Sequence, residues 1–284
     1  MLALAISLLL LAPEDGREWS AKHAVGLRIP ASWTVVAKDD GERVFVVEGP
    51  RLGPGVPRVV LWNGGPASDK GIEAFTDELV ARIRARPGWT VSTRTRRVVG
   101  SAPTIRIAVG FTEEDARGRG RFTVALLGGS FYVLEMSAAA SHFPAAAFDR
   151  LEGSLAVATR EERFGDLVVA APAGWERQDD RLIGPALGVG PAVLRLWRDE
   201  GGLRGPDGAA AGPEVEFLGA RRRTLLANRE KGEDRPALRM RLVHGDWWSA
   251  MLLAPSETWY DVEPAALDVL RSARLPAPAP PPDR

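Results

Sequence analysis

The stretch Gly49-Pro50-Arg51-Leu52-Gly53-Pro54-Gly55-Val56-Pro57-Arg58-Val59-Val60-Leu61-Trp62 aligns without a gap on residues 184–197, with seven of the fourteen positions identical. Three further matches keep the same order. Ile29-Pro30-Ala31-Ser32-Trp33 parallels Ala171-Pro172-Ala173-Gly174-Trp175, Gly129-Ser130-Phe131-Tyr132 parallels Gly245-Asp246-Trp247-Trp248, and Pro144-Ala145-Ala146 parallels Pro264-Ala265-Ala266. Ordered self-similarity of this kind means one supersecondary plan used twice, so the chain is read as two diverged copies of one unit. Its 284 residues leave each copy enough chain to bury a core of its own.

In the first copy, Asp39-Asp40-Gly41 marks a tight turn between Val35-Val36 and the apolar run Val44-Phe45-Val46-Val47. Ile72, Phe75, Leu79 and Ile83 recur at helical spacing with charged residues between them, which predicts an amphipathic helix lying on a sheet and stopped by Pro87-Gly88. Beyond it come strands over 91–99, 105–111, 122–127 and 131–136. In the second of these Ile105, Ile107, Val109 and Phe111 alternate with Arg106, Ala108 and Gly110, the period-two pattern of antiparallel pairing. A helix from about Pro144 closes the unit over Phe148, Leu151 and Leu155.

The second copy keeps the strands and the last helix, with Leu267 and Leu270 inward, and lacks the middle one. Between Trp197 and Val215 it carries Gly201-Gly202, Gly205-Pro206, Gly208 and Gly212-Pro213, too many breakers for a stable helix. The expected fold class is therefore α+β: two antiparallel-sheet sandwich units with flanking helices, the second without its middle helix and with one sheet face short of a cover. The expected divisions are a signal-like N-terminus and lead-in over 1–23, units over 24–158 and 164–275, a linker over 159–163 and a Pro-rich extended tail over 276–284.

A strand ending in Pro-x-x-Trp (Pro30 to Trp33, Pro172 to Trp175), a hairpin, a helix, antiparallel strands and a helix after an aromatic hairpin together resemble the PsbP/DcrB-like α/β/α sandwich superfamily. The resemblance covers most of 24–157 and, more loosely, 164–275. It implies a non-catalytic role as an assembly factor, extrinsic subunit or binding module, including shelter for apolar client segments. It carries over no functional residue, because the matching positions are structural.

Several chemistries find no support in the residues. The chain has no Cys, and His23, His142 and His244 lack metal-ligand spacing. No Gly-x-Ser-x-Gly elbow or Gly-Lys-Ser/Thr phosphate loop occurs, and the Gly-rich stretches at 49–55 and 184–190 lead into strands rather than helices. No catalytic, cofactor or metal site is expected. Asp39-Asp40 and Asp179-Asp180 are read as turn residues, Arg117 to Arg121 as a solvated turn, and Arg221-Arg222-Arg223 as a solvated strand end. Lys plus Arg and Asp plus Glu both total 37, so no net field draws the chain to nucleic acid.

The apolar run Leu2 to Ala12 is too short to span a bilayer and suits the core of a secretory signal, although no basic residue precedes it. The expectation is export to the periplasm or envelope with no integral membrane span. Trp33, Trp62, Trp175 and Trp197 hold matched positions and are read as core. Trp247 and Trp248 differ: as neighbours on a strand they face opposite sides of a sheet that lacks one cover, so they are the candidate residues for a protein partner or apolar client.

Overall fold

The computed structural model describes residues 17–276 except 54, 68–69, 101, 114–115, 188–189, 200–207 and 231–236. The signal-like run and the Pro-rich tail beyond Pro276 lie outside the described residues. The chain divides between Ala158 and Thr159 into two compact units.

The first unit runs β1 (Arg17–Ser20), β2 (Val25–Arg28), β3 (Thr34–Asp40), β4 (Arg43–Glu48), β5 (Arg58–Pro66), α1 (Ile72–Arg84), β6 (Trp89–Val99), β7 (Ala102–Glu113), β8 (Ala116–Leu127), β9 (Ser130–Ala139), α2 (Ala145–Gly153) and β10 (Ala156–Val157). Seven strands form an antiparallel sheet in the order β3-β4-β5-β9-β8-β7-β6, and β1-β2-β10 form a small sheet of their own. Residues 17–20, expected as lead-in, are thus already part of the unit. Alternation sorts each long strand onto two faces. The front face carries Phe45, Val59, Leu61, Tyr132, Leu134 and Met136, packed with Val25 and Leu27 of β2 and Phe148, Leu151 and Leu155 at α2. The back face carries Ile105, Ile107, Phe122, Val124 and Phe131, all buried. Helix α1 lies across β6, β7 and β8 on that face, burying Ile72, Thr76, Val80 and Ile83 and stacking Phe75 on Phe131 with ring centroids 4.3 Å apart.

The second unit runs β11 (Thr159–Phe164), β12 (Leu167–Pro172), β13 (Glu176–Gln178), β14 (Arg181–Ala186), β15 (Pro191–Arg198), β16 (Ala210–Phe217), β17 (Ala220–Arg229), β18 (Leu238–His244), β19 (Trp248–Pro255) and α3 (Trp259–Arg271). Its large sheet has the order β13-β14-β15-β19-β18-β17-β16, the order of the first sheet strand for strand. Helix α3 packs on β12, β16 and β19 and covers the front face. Among the described residues no helix lies between β15 and β16, where the first unit places α1.

Four expectations need correction. Residues 159–163 are no linker: Thr159 to Phe164 pairs with Leu167 to Pro172 in full antiparallel register. Arg117 to Arg121 belongs to β8 rather than a turn. Its glycines are there because a Cβ on Gly118 would sit 2.1 Å from the Phe111 ring, while the alternate Arg121 turns forward to Asp149, 2.6 Å away. Pro264 lies inside α3, whereas Pro144 caps α2, so the two prolines are not equivalent. Trp62 and Trp197 are half-buried on the back face rather than core.

The repeated motifs have repeated geometry. In Pro-x-x-Trp the Trp backbone N–H closes a turn onto the Pro carbonyl, at 2.8 Å for Trp33 and 3.1 Å for Trp175. Each ring then lies against the first glycine of the long match: a Cβ on Gly49 would come within 2.8 Å of Trp33, and one on Gly184 within 3.2 Å of Trp175. A second device escaped the sequence. Ser154 and Ser272, at the C-caps of α2 and α3, accept the backbone N–H of Arg28 (2.9 Å) and Ala170 (2.8 Å), pinning each helix to its small sheet.

Candidate functional site

The back face of the second sheet can be compared with the first position by position, because strand pairing fixes the correspondence. Val59 lies opposite Met136 as Leu194 lies opposite Leu252, which makes Tyr132 equivalent to Trp248 and Phe131 to Trp247. Tyr132 and Trp248 are both buried on the front face with a hydrogen-bonding tip: the Tyr132 hydroxyl donates to the His23 carbonyl at 3.0 Å, and Trp248 Nε1 donates to Asp166 Oδ1 at 3.2 Å. Burial pushes the Tyr132 phenol up to about 12. Trp248 is therefore a core residue, which leaves Trp247 of the candidate pair.

Trp247 is the opposite case: it lies in the bend Asp246-Trp247 between β18 and β19 rather than on a strand as expected, its carbonyl accepting the Asp199 backbone N–H at 2.8 Å. Phe131 is fully buried beneath Phe75 of α1, and its counterpart Trp247 is 63% exposed. It is the largest exposed hydrophobic side chain among the described residues.

Further positions along the same face changed character. Val133 pairs with Val124, and Val124 with Ile105; the corresponding set is Ser249, His244 and Arg223. Phe111 corresponds to Arg229 by the same count. Four apolar positions of the first back face are thus polar or charged in the second. Between them runs a half-buried apolar strip of Leu225, Met240, Met251 and Leu253, with Val193 and Trp197 beside it. The Arg195 guanidinium lies 5.6 Å from the centre of the Trp197 ring and pairs with Asp180, whose carboxyl it holds below the usual carboxylate range.

His244, Ser249 and Asp199 form a hydrogen-bonded trio at one end of the strip. The Ser249 hydroxyl donates to Asp199 Oδ2 at 2.8 Å and lies 2.9 Å from His244 Nδ1. Nucleophilic catalysis through Ser needs the imidazole between hydroxyl and carboxylate. Here the hydroxyl bridges the other two, His244 Nδ1 lies 3.5 Å from the same Asp199 oxygen, and Ser249 is fully buried, so its hydroxyl is not presented to a substrate. Among the described residues no group of three or more His, Asp or Glu is placed to hold a metal ion. One hollow lies beside Ser154, lined by Arg17, Arg28 and Arg150; another lies beside Ser272, between the β16–β17 turn at Leu218-Gly219 and Arg271 and Arg274.

No family model matches the chain, and no curated protein does. Among solved structures it is similar to LpqN of Mycobacterium tuberculosis, described as involved in cell envelope biogenesis, at 12% identity and a TM-score of 0.39 over 47% of this chain and 82% of that one. It is similar to the cyanobacterial PsbP of Synechocystis sp. PCC 6803 at 12% identity and a TM-score of 0.41, over 50% of this chain and 91% of that one. A third match is the Pseudomonas aeruginosa protein of unknown function PA94, at 13% identity and a TM-score of 0.38, over 49% and 96%. Each match spans about half of this chain.

Proposed function

We propose that the chain is a non-catalytic binding or assembly protein of the cell envelope that presents the back face of its second sheet to a protein partner. The observation that carries this reading is the contrast between Phe131, buried under a helix, and Trp247, exposed at the equivalent place. A large aromatic ring held in water forgoes the burial energy its twin gains, and exposed Trp is the side chain most enriched at binding hot spots. The order of the His244, Ser249 and Asp199 trio supports a non-catalytic role. Export rests on the apolar run of residues 2–12, and no helix among the described residues is long and apolar enough to cross a membrane. A holdase for apolar segments would need a broadly apolar face, and Arg223, Arg229, His244 and Ser249 interrupt this one.

Affinity capture from envelope extract, run with the wild type and Trp247→Ala, tests the proposal. We expect a defined partner with the wild type only, while the two proteins share one thermal midpoint. Identical captures from both would sink the reading.

A further inference from the structure

Resting on that reading, we infer that the partner segment is an acidic amphipathic α-helix, seated across β16 to β19 with its apolar side chains over Leu225, Met240, Met251 and Trp247. The first unit supplies the template. There the same strand order, viewed from the same side, is covered by the 13-residue helix α1. Such a helix is about 20 Å long, enough to cross four strands spaced by about 4.8 Å. Phe75 of α1 stacks on Phe131, so an aromatic or long aliphatic side chain at the matching point of a docked helix would meet Trp247.

Charge narrows the partner further. In the first unit the sheet and its helix are joined electrostatically: Arg94 of β6 pairs with Glu73 and Asp77 of α1, and Arg96 lies 3.2 Å from Glu73. The second back face carries Arg221, Arg223 and Arg229 on β17, all exposed, with Leu225 and Ala227 between the last two on the same side. Glu216 on β16 lies across from Arg221. Two of these guanidiniums stand where the first unit has Ile105 and Phe111, so the helix that fits here differs from α1: it needs carboxylates along the side that faces β17. A duplex polyanion would meet the arginines through its phosphates and leave the apolar strip uncovered, whereas a helix with an apolar side and an acidic side uses both.

The test uses the full chain and two labelled synthetic peptides built on residues 70–86. One carries Arg82→Glu, Arg84→Glu and Arg86→Glu; the other carries Glu73→Lys, Asp77→Lys and Glu78→Lys. Both keep the apolar face of α1 and differ in charge. Fluorescence anisotropy should show saturable binding of the acidic peptide, at least about tenfold tighter than the basic one and weakened several-fold when salt is raised well above about 0.15 M. Trp247→Ala and Arg223→Glu, both at exposed positions, should each weaken it by about tenfold. Equal or tighter binding of the basic peptide, with Trp247 still required, overturns the acidic helix and leaves the proposed surface standing. Absence of binding by either peptide, or binding insensitive to Trp247→Ala, overturns the inference, and the capture experiment above then decides the surface separately.

Discussion

Phe131 and Trp247 occupy one place in two copies of a plan, and truncating them should have unequal costs. Phe131→Ala empties a buried site under Phe75 and should lower stability by about 3 to 5 kcal/mol, whereas Trp247→Ala should stay within about 0.5 kcal/mol in urea denaturation. Gly49→Ala and Gly184→Ala make a similar pair. The tighter approach at Gly49, 2.8 Å against 3.2 Å, should make the first the more damaging, by about 1 to 3 kcal/mol. Titration adds a check on the first unit. Burial holds the His23 imidazole below its ordinary 6.5, helped by the Lys22 charge and opposed by Asp39. The unfolded chain therefore takes up this proton first. Stability from neutral His23 is present above 6.5 and is lost as pH falls through the lower native value, and His23→Gln should flatten that loss in denaturation curves taken below about pH 6.5. The sequence singled out Trp247 and Trp248 as a pair facing opposite sides of a sheet short of a cover, but it did not say which of the two stays in water.

At the level of elements, the strands and the helix over 72–84 were legible because their periodicity is strong: Ile105, Ile107, Val109 and Phe111 alternate cleanly, and Ile72, Phe75 and Ile83 share a helical face. Boundaries and caps were not. Nothing in Thr159 to Phe164 distinguishes a charged edge strand from a linker until Leu167 to Pro172 pairs with it. The serine caps join residues 126 and 102 positions apart, a separation no local pattern reports. Ser154→Ala and Ser272→Ala should each cost about 1 to 2 kcal/mol by orphaning a strand N–H, with little change in the other unit. Glu152 of α2 is a buried carboxylate held by Arg106, Arg121 and Thr123. Its removal in Glu152→Ala should destabilise by about 3 kcal/mol, because two part-buried guanidiniums would keep their desolvation with only the exposed Asp149 left to pair with.

At the scale of the whole molecule, similar turn chemistry at Pro30 to Trp33 and Pro172 to Trp175, and at Gly49 and Gly184, made the repeat readable in the residues, and the two large sheets share one strand order. Each unit has its own sheet and its own buried residues, so a fragment of residues 17–158 should unfold cooperatively when followed by circular dichroism. Sequence also placed the asymmetry, because glycine and proline between Trp197 and Val215 leave no run that could form an amphipathic helix. The effect of that asymmetry on the face beneath comes from strand pairing over long separations in the chain. Whether Trp247 or Trp248 meets solvent depends on strand register and on which side α3 covers, and the replacement of Ile105, Val124 and Val133 by Arg223, His244 and Ser249 becomes visible only when strands far apart in the chain are laid side by side. Local pattern specifies an element and its two faces; long-range pairing assigns each face to core or to water.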